Sequence, residues 1–147
     1  MRPSNACRNS SRTLVIVIAS IIATMSVAAH AQLVYWADSG ENAIRRAATD
    51  GSGVELLVSG TDAATPTALT LDLRCGKIYW CGAGPDSVRR ANLDGTDVEV
   101  LTTTGLVFPN GIALDIPNSQ MYVTSFSNSQ INRYSLDGSG YVAIHTF

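Results

Sequence analysis

The side chains able to do chemistry in this sequence are few, and their spacing argues against catalysis. Asp50-Gly51-Ser52-Gly53 and Asp137-Gly138-Ser139-Gly140 set a carboxylate among small residues, as calcium loops do. Calcium needs several converging oxygens, and neither run has the spaced acids of an EF-hand or the nonapeptide period of a calcium-binding β-roll. Both are expected to be hairpin turns, where Asp and Gly accept left-handed backbone angles. Ser, His and Asp all occur, but His145 lies in the last predicted strand and no Gly-x-Ser-x-Gly elbow is present. Cys75 and Cys81 bracket one predicted strand that would hold them roughly 17 to 20 Å apart, too far for a disulfide. They are expected to be isolated thiols. No Cys-x-x-Cys pair or His/Cys cluster points to zinc, so no cofactor is expected.

Two recurring sets of residues remain. Arg46, Arg90 and Arg133 return at one position of a repeating pattern, with Arg45 and Arg89 beside the first two. Strand alternation puts Ile44 and Arg46 on one face, so these arginines are expected along an apolar interface, each reaching a carboxylate. An acidic protein partner is the alternative use of the same guanidinium groups. Tyr35, Trp36, Tyr79, Trp80 and Tyr122 form an aromatic stripe, expected to pack between sheets and to anchor a partner only where exposed.

The elements that position these groups follow from a period. Tyr35, Tyr79 and Tyr122 are separated by 44 and 43 residues, and Asp50-Gly51, Asp94-Gly95 and Asp137-Gly138 keep the same intervals, as do Ile44, Val88 and Ile131. Pro66 and Pro109 are 43 apart, as are Asp72 and Asp115. In the middle copy Thr67 to Asp72, Lys77 to Cys81, Val88 to Leu93 and Val98 to Thr102 are β-prone runs divided by turn residues. Gly82 to Ser87, with its Gly-x-Gly-Pro, is expected to be a loop. Four antiparallel strands in a period of 40 to 45 residues mark a β-propeller blade, which is stable only when stacked on others. The fold class is therefore all-β, about three four-stranded antiparallel blades in an incomplete ring, with repeats at about 33–66, 67–109 and 110–147.

Residues 1–31 stand apart from this pattern. Met1 to Arg12 carries three arginines and no acid, Thr13 to Ala29 is a run of seventeen uncharged residues, and Ala29-His30-Ala31 fits an A-x-A cleavage site. The order is that of a secretory signal, with an uncleaved membrane anchor as the alternative. Residues 32–147 hold seven basic and twelve acidic side chains, a net charge near −5, which removes the electrostatic basis for binding nucleic acid.

The residues also resemble a known family. Tyr35-Trp36-Ala37-Asp38 and Tyr79-Trp80-Cys81-Gly82 are similar to the Tyr-Trp-Thr-Asp motif of low-density lipoprotein receptor class B repeats. Pro109 to Asp115 resembles the strand before that motif, and Val88 to Gly95 the strand and turn after it. The third copy departs, with Tyr122-Val123-Thr124-Ser125, and only Asp38 keeps the acid. The resemblance implies six-bladed propellers in which that aspartate ties neighbouring blades together. Three strands in the first copy and four in each of the others fall short of such a ring. A segment of a longer propeller accounts for this most simply, self-association to complete the ring is the next reading, and an open monomer the third.

Gluconolactonase-like propellers are a neighbouring six-bladed family, in which an asparagine resembling Asn110 helps hold a divalent metal. Here no second or third ligand can be placed, and Thr67 occupies the matching position of the preceding copy. The expected function is a non-enzymatic, extracellular or periplasmic propeller segment that binds protein or serves assembly. The alternative is a degenerate gluconolactonase-like, metal-dependent hydrolase. Expected partners are a protein ligand or a second copy, not nucleic acid, and a membrane only with residues 1–31 uncleaved.

Overall fold

The computed structural model describes residues 32–146, and the segment read as a secretory signal lies outside the described residues. The described chain forms three antiparallel sheets. The first holds β1 (Leu33–Asp38), β2 (Ala43–Ala48) and β3 (Glu55–Ser59), in that order. The second runs β4 (Pro66–Asp72), β5 (Lys77–Ala83), β6 (Asp86–Asn92) and β7 (Glu99–Thr102). The third repeats the second with β8 (Pro109–Asp115), β9 (Gln120–Ser125), β10 (Gln130–Ser135) and β11 (Val142–Thr146). A single 3-10 turn, Gly60–Asp62, is the only helical element among the described residues, and none of their helices is long and apolar enough to cross a membrane. The all-β blade architecture expected from the period is what the described residues adopt.

Alternation along each strand explains why the sheets must stack. In β5, Ile78 and Trp80 point to one face and Tyr79 and Cys81 to the other, and all four are buried. Ile78, Trp80 and Ala91 pack against Ile44 and Val58 of the first sheet. On the opposite side Tyr79, Cys81 and Val88 pack against Met121, Val123 and Tyr134 of the third. The hydrophobic core is thus two layers between sheets, and a sheet removed from the stack would expose apolar side chains on both faces.

Local devices recur from sheet to sheet. The pairing of its last two strands slips by one residue between Ile44 and Arg45, between Val88 and Arg89, and between Ile131 and Asn132, a bulge that increases local twist. Asp72 Oδ1 accepts from the amides of Arg74 and Cys75, and Asp115 caps the equivalent turn through Asn118. One expectation is corrected. Gly82 to Ser87 is not a loop, because β5 and β6 continue pairing out to Ala83 and Asp86 and only Gly84-Pro85 form the turn. Gly and Pro mark a tight two-residue reversal as readily as a loop, and the cross-strand pairs decide the matter.

Asp50, Asp94 and Asp137 build one turn three times. Each Oδ1 accepts from both the amide and the hydroxyl two residues on, in Ser52, Thr96 and Ser139. The hydroxyl donors hold all three carboxyls below the usual aspartate range, because only the ionised form accepts both bonds fully. A folded-state pKa below the unfolded one contributes stability that is present at neutral pH and is lost as pH falls through the folded value. The three aspartates are therefore expected to titrate below 3.8 by carboxyl-detected NMR, with the melting temperature falling in the same acidic range. Unshifted midpoints at these residues would remove the turn contribution.

Candidate interaction surface

The recurring arginines connect neighbouring sheets. Arg46 on β2 pairs with Glu55 on β3 at 2.7 Å, and its Nη1 donates to the carbonyl of Leu93 in the second sheet at 3.0 Å. Arg90 on β6 repeats both contacts, pairing with Glu99 at 2.6 Å and donating to Leu136 of the third sheet at 3.2 Å. Its guanidinium also lies 5.6 Å from the centre of the Tyr79 ring and donates to that hydroxyl. Both glutamates are largely exposed, so the ion pairs contribute little and the bonds to carbonyls of the next sheet carry the linking role. Arg133 has no such acid: its cross-strand partner is Val142, where Arg46 and Arg90 face Glu55 and Glu99.

The adjacent position serves the connecting segments, a role not anticipated from sequence. Arg89 is buried and donates to the carbonyls of Thr61 and Asp62, and Asn132, at the same place in the third sheet, donates to Gly105. The only hint was the pairing of two arginines in the first two copies.

Within the aromatic stripe, position decides environment. Tyr79 and Trp80 are buried on opposite faces of the middle sheet, and Trp80 Nε1 donates to Ala63 at 3.0 Å. Burial pushes the Tyr79 hydroxyl pKa up. Tyr35 packs toward the second sheet, Trp36 faces the other way and is half-buried, and Tyr122 is also half-buried, donating to Gln120 at 3.0 Å. Asp38 accepts from the amide of Glu41 and lies 3.5 Å from Arg45, both within its own sheet. Its contacts thus cap a hairpin, where the family resemblance implied a tie between blades. Cys81 is buried, its thiol directed at the Gly111 carbonyl and its pKa raised by burial to about 12, which leaves it unreactive at neutral pH.

Asn110 lies on the rim of an open depression of about 460 Å³, with Thr124, Ser125, Phe126, Ser129 and Gln130 around it. Its Oδ1 accepts from the Thr124 hydroxyl at 2.8 Å. The lining holds no carboxylate, imidazole or thiolate, and no group of three or more His, Cys, Asp or Glu occurs among the described residues. Such a neutral lining can accept hydrogen bonds but offers a divalent ion too few charged ligands.

Beside it lies a feature the sequence pattern did not disclose. Phe108 and Phe126 stack edge to face at 6.3 Å and remain 48% and 69% exposed, with Val107 adjoining. Phe108 has φ of 54°, a costly conformation for a bulky residue. Asp86 of the second sheet holds it there by accepting from the Phe108 amide at 3.0 Å, while the Phe108 carbonyl accepts from Phe126. Thr65, one repeat earlier, has the same backbone conformation and bonds Asn42 in the same way. The backbone device is thus common to both junctions, and the exposed aromatic pair belongs to the second alone.

Residues 76–116 match the family model for the low-density lipoprotein receptor repeat class B. This segment is a class B repeat. It starts in the β4–β5 turn and ends just after β8, so the repeat unit straddles two sheets and includes Tyr79, Arg90 and Glu99, while Leu136, which Arg90 reaches in the third sheet, lies beyond it. Among solved structures, the chain resembles one in the nidogen/laminin complex, with 28% identity, a TM-score of 0.69, and coverage of 79% of this chain and 44% of that one. It also resembles a gluconolactonase from Xanthomonas campestris at 20% identity, with a TM-score of 0.63 and coverage of 77% and 45%. The second likeness is one of fold. The chain spans less than half the length of either structure. No curated protein matches the sequence.

Proposed function

We propose that this chain is a non-enzymatic propeller segment that binds another protein outside the cytoplasm, in the extracellular space or the periplasm. The observation that carries the proposal is the exposed Phe108/Phe126 pair, an aromatic patch held by a strained backbone where the second sheet meets the third. Strain maintained to present an apolar side chain to water favours a binding role over a packing one. The class B repeat supports the same reading, as does the likeness to a structure solved as a nidogen/laminin complex. The arginine-free, signal-like composition of Thr13 to Ala29 supports export. A gluconolactonase-like hydrolase would need ligands around Asn110 that its neutral lining does not supply.

The test compares the wild-type chain with a Phe108→Asn, Phe126→Ser double variant, each immobilised and exposed to secreted proteins of the host. Asparagine tolerates left-handed angles, so the variant should keep its circular dichroism and melting temperature while its partner's affinity drops by at least about tenfold. Equal capture by both proteins would overturn the aromatic-patch reading. Gluconolactone hydrolysis that appears with added calcium or zinc and disappears in Asn110→Ala would overturn the non-enzymatic one.

A further inference from the structure

Both junctions between sheets use one set of contacts, and the two outer faces of the stack carry the two halves of that set. At the first junction Arg46 donates to the carbonyl of Leu93, just before the Asp94-Gly95 turn, and Gly95 sits so close that an added Cβ would be 2.3 Å from the Leu57 carbonyl. At the second, Arg90 donates to Leu136, just before Asp137-Gly138, and a Cβ on Gly138 would be 2.2 Å from the Leu101 carbonyl. Advancing one repeat along the sequence, the donor half becomes Arg133 with Ile144 on the outer face of the third sheet. Moving back one repeat, the acceptor half becomes Thr49 with Gly51 on the outer face of the first.

Both halves are vacant among the described residues. The ion pairs there fall on Arg45, Arg46 and Arg90, leaving Arg133 without one. Gly51 keeps the backbone angle of its counterparts, φ of 85° against 86° and 85°, yet has nothing within 4 Å of a built Cβ. The apolar positions agree. Tyr122, Ile131 and Ile144 occupy the places that Tyr79, Val88 and Leu101 fill at the second junction, and Val34, Trp36 and Val54 those of Ile78, Trp80 and Val98 at the first. Val34, Val54 and Ile144 are exposed where their counterparts are covered.

We propose that the outer face of the third sheet receives the outer face of the first sheet from a second copy of this chain, head to tail, with Arg133 donating to the partner's Thr49. The occupant is a second copy because the acceptor half that Arg133 matches is present, unfilled, in this chain. A contact between two different faces closes into a ring or extends into a filament, according to its rotation. The surface adjoins the Phe108/Phe126 patch at the depression that Phe126 and Ile131 both line, but Arg133 and Val34 lie outside that lining, so variants at those two positions leave both rings in place and either proposal can fail alone.

The test uses the full chain, with Arg133→Glu to spoil one face and Val34→Glu the other, followed by size exclusion with light scattering. Wild-type protein is expected to run above the monomer mass and each single variant at it, with association at least about tenfold weaker. An equimolar mixture should recover a one-to-one dimer, since one variant retains an intact first-sheet face and the other an intact third-sheet face. Circular dichroism of each variant separates this outcome from misfolding, as does recovery in the mixture. A wild-type chain that is monomeric at every concentration overturns the proposal, as does association surviving in both variants or a mixture that stays monomeric.

Discussion

Replacing Trp80 with alanine is expected to remove about 3 to 5 kcal/mol of stability, a large share of the total for a domain of this size. Trp80 is fully buried between the first two sheets among Ile44, Val58, Ala63, Ile78 and Ala91. The truncation leaves a cavity that closely packed sheets cannot collapse to fill, and it strips the Ala63 carbonyl of its indole donor. Because the first sheet is held mainly by this layer, the midpoint of urea unfolding should fall with little change in slope. Trp36→Ala is the control. The same motif residue one repeat earlier is half-buried on an outer face and should cost only about 1 kcal/mol in monomeric protein. Equal losses at the two tryptophans would mean that the layer between the sheets is not what stabilises the chain.

The turn glycines give a second large contrast. Gly51, Gly95 and Gly138 share a left-handed backbone, so alanine should cost each about 1 to 2 kcal/mol in conformational strain alone. Gly95 and Gly138 also press on carbonyls of the preceding sheet, where a Cβ would force the backbones apart and add about 1 to 3 kcal/mol of overpacking. Thermal melts at a dilution that keeps the chain monomeric should therefore rank Gly51→Ala as mild and the other two as severe. Three equal shifts would show that the close approach between turn and neighbouring strand has no energetic weight.

Much of this arrangement is legible in the residues because the repeat is a local, covalent regularity. Tyr35, Tyr79 and Tyr122 mark the second strand of each copy, the Asp-Gly pairs mark its later hairpin, and alternation tells which side chains share a face. At Gly82 to Ser87 composition does not separate a tight reversal from a loop; the pairing of Ala83 with Asp86 does. The acid of the Tyr-Trp motif is kept only at Asp38, and its contacts, the Glu41 amide and the Arg45 guanidinium, stay in its own sheet. The Phe108/Phe126 pair leaves no mark in the sequence because the two rings are distant along the chain and meet only where β8 and β9 lie side by side.

The amino-acid order by itself determined the unit: a 43- or 44-residue copy with period-two strands, turn residues at set offsets, and an apolar side chain on each face that forces one sheet onto the next. Only the tertiary structure decided what those units say to one another. Arg46 and Arg90 find carbonyls 47 and 46 residues ahead, Gly95 and Gly138 meet strands of the preceding sheet, and Arg133 and Gly51 are left holding unmatched halves of the same contact. The reason is physical: strand and turn preferences act between neighbours along the chain, whereas a hydrogen bond between sheets depends on their separation and twist, which packing sets.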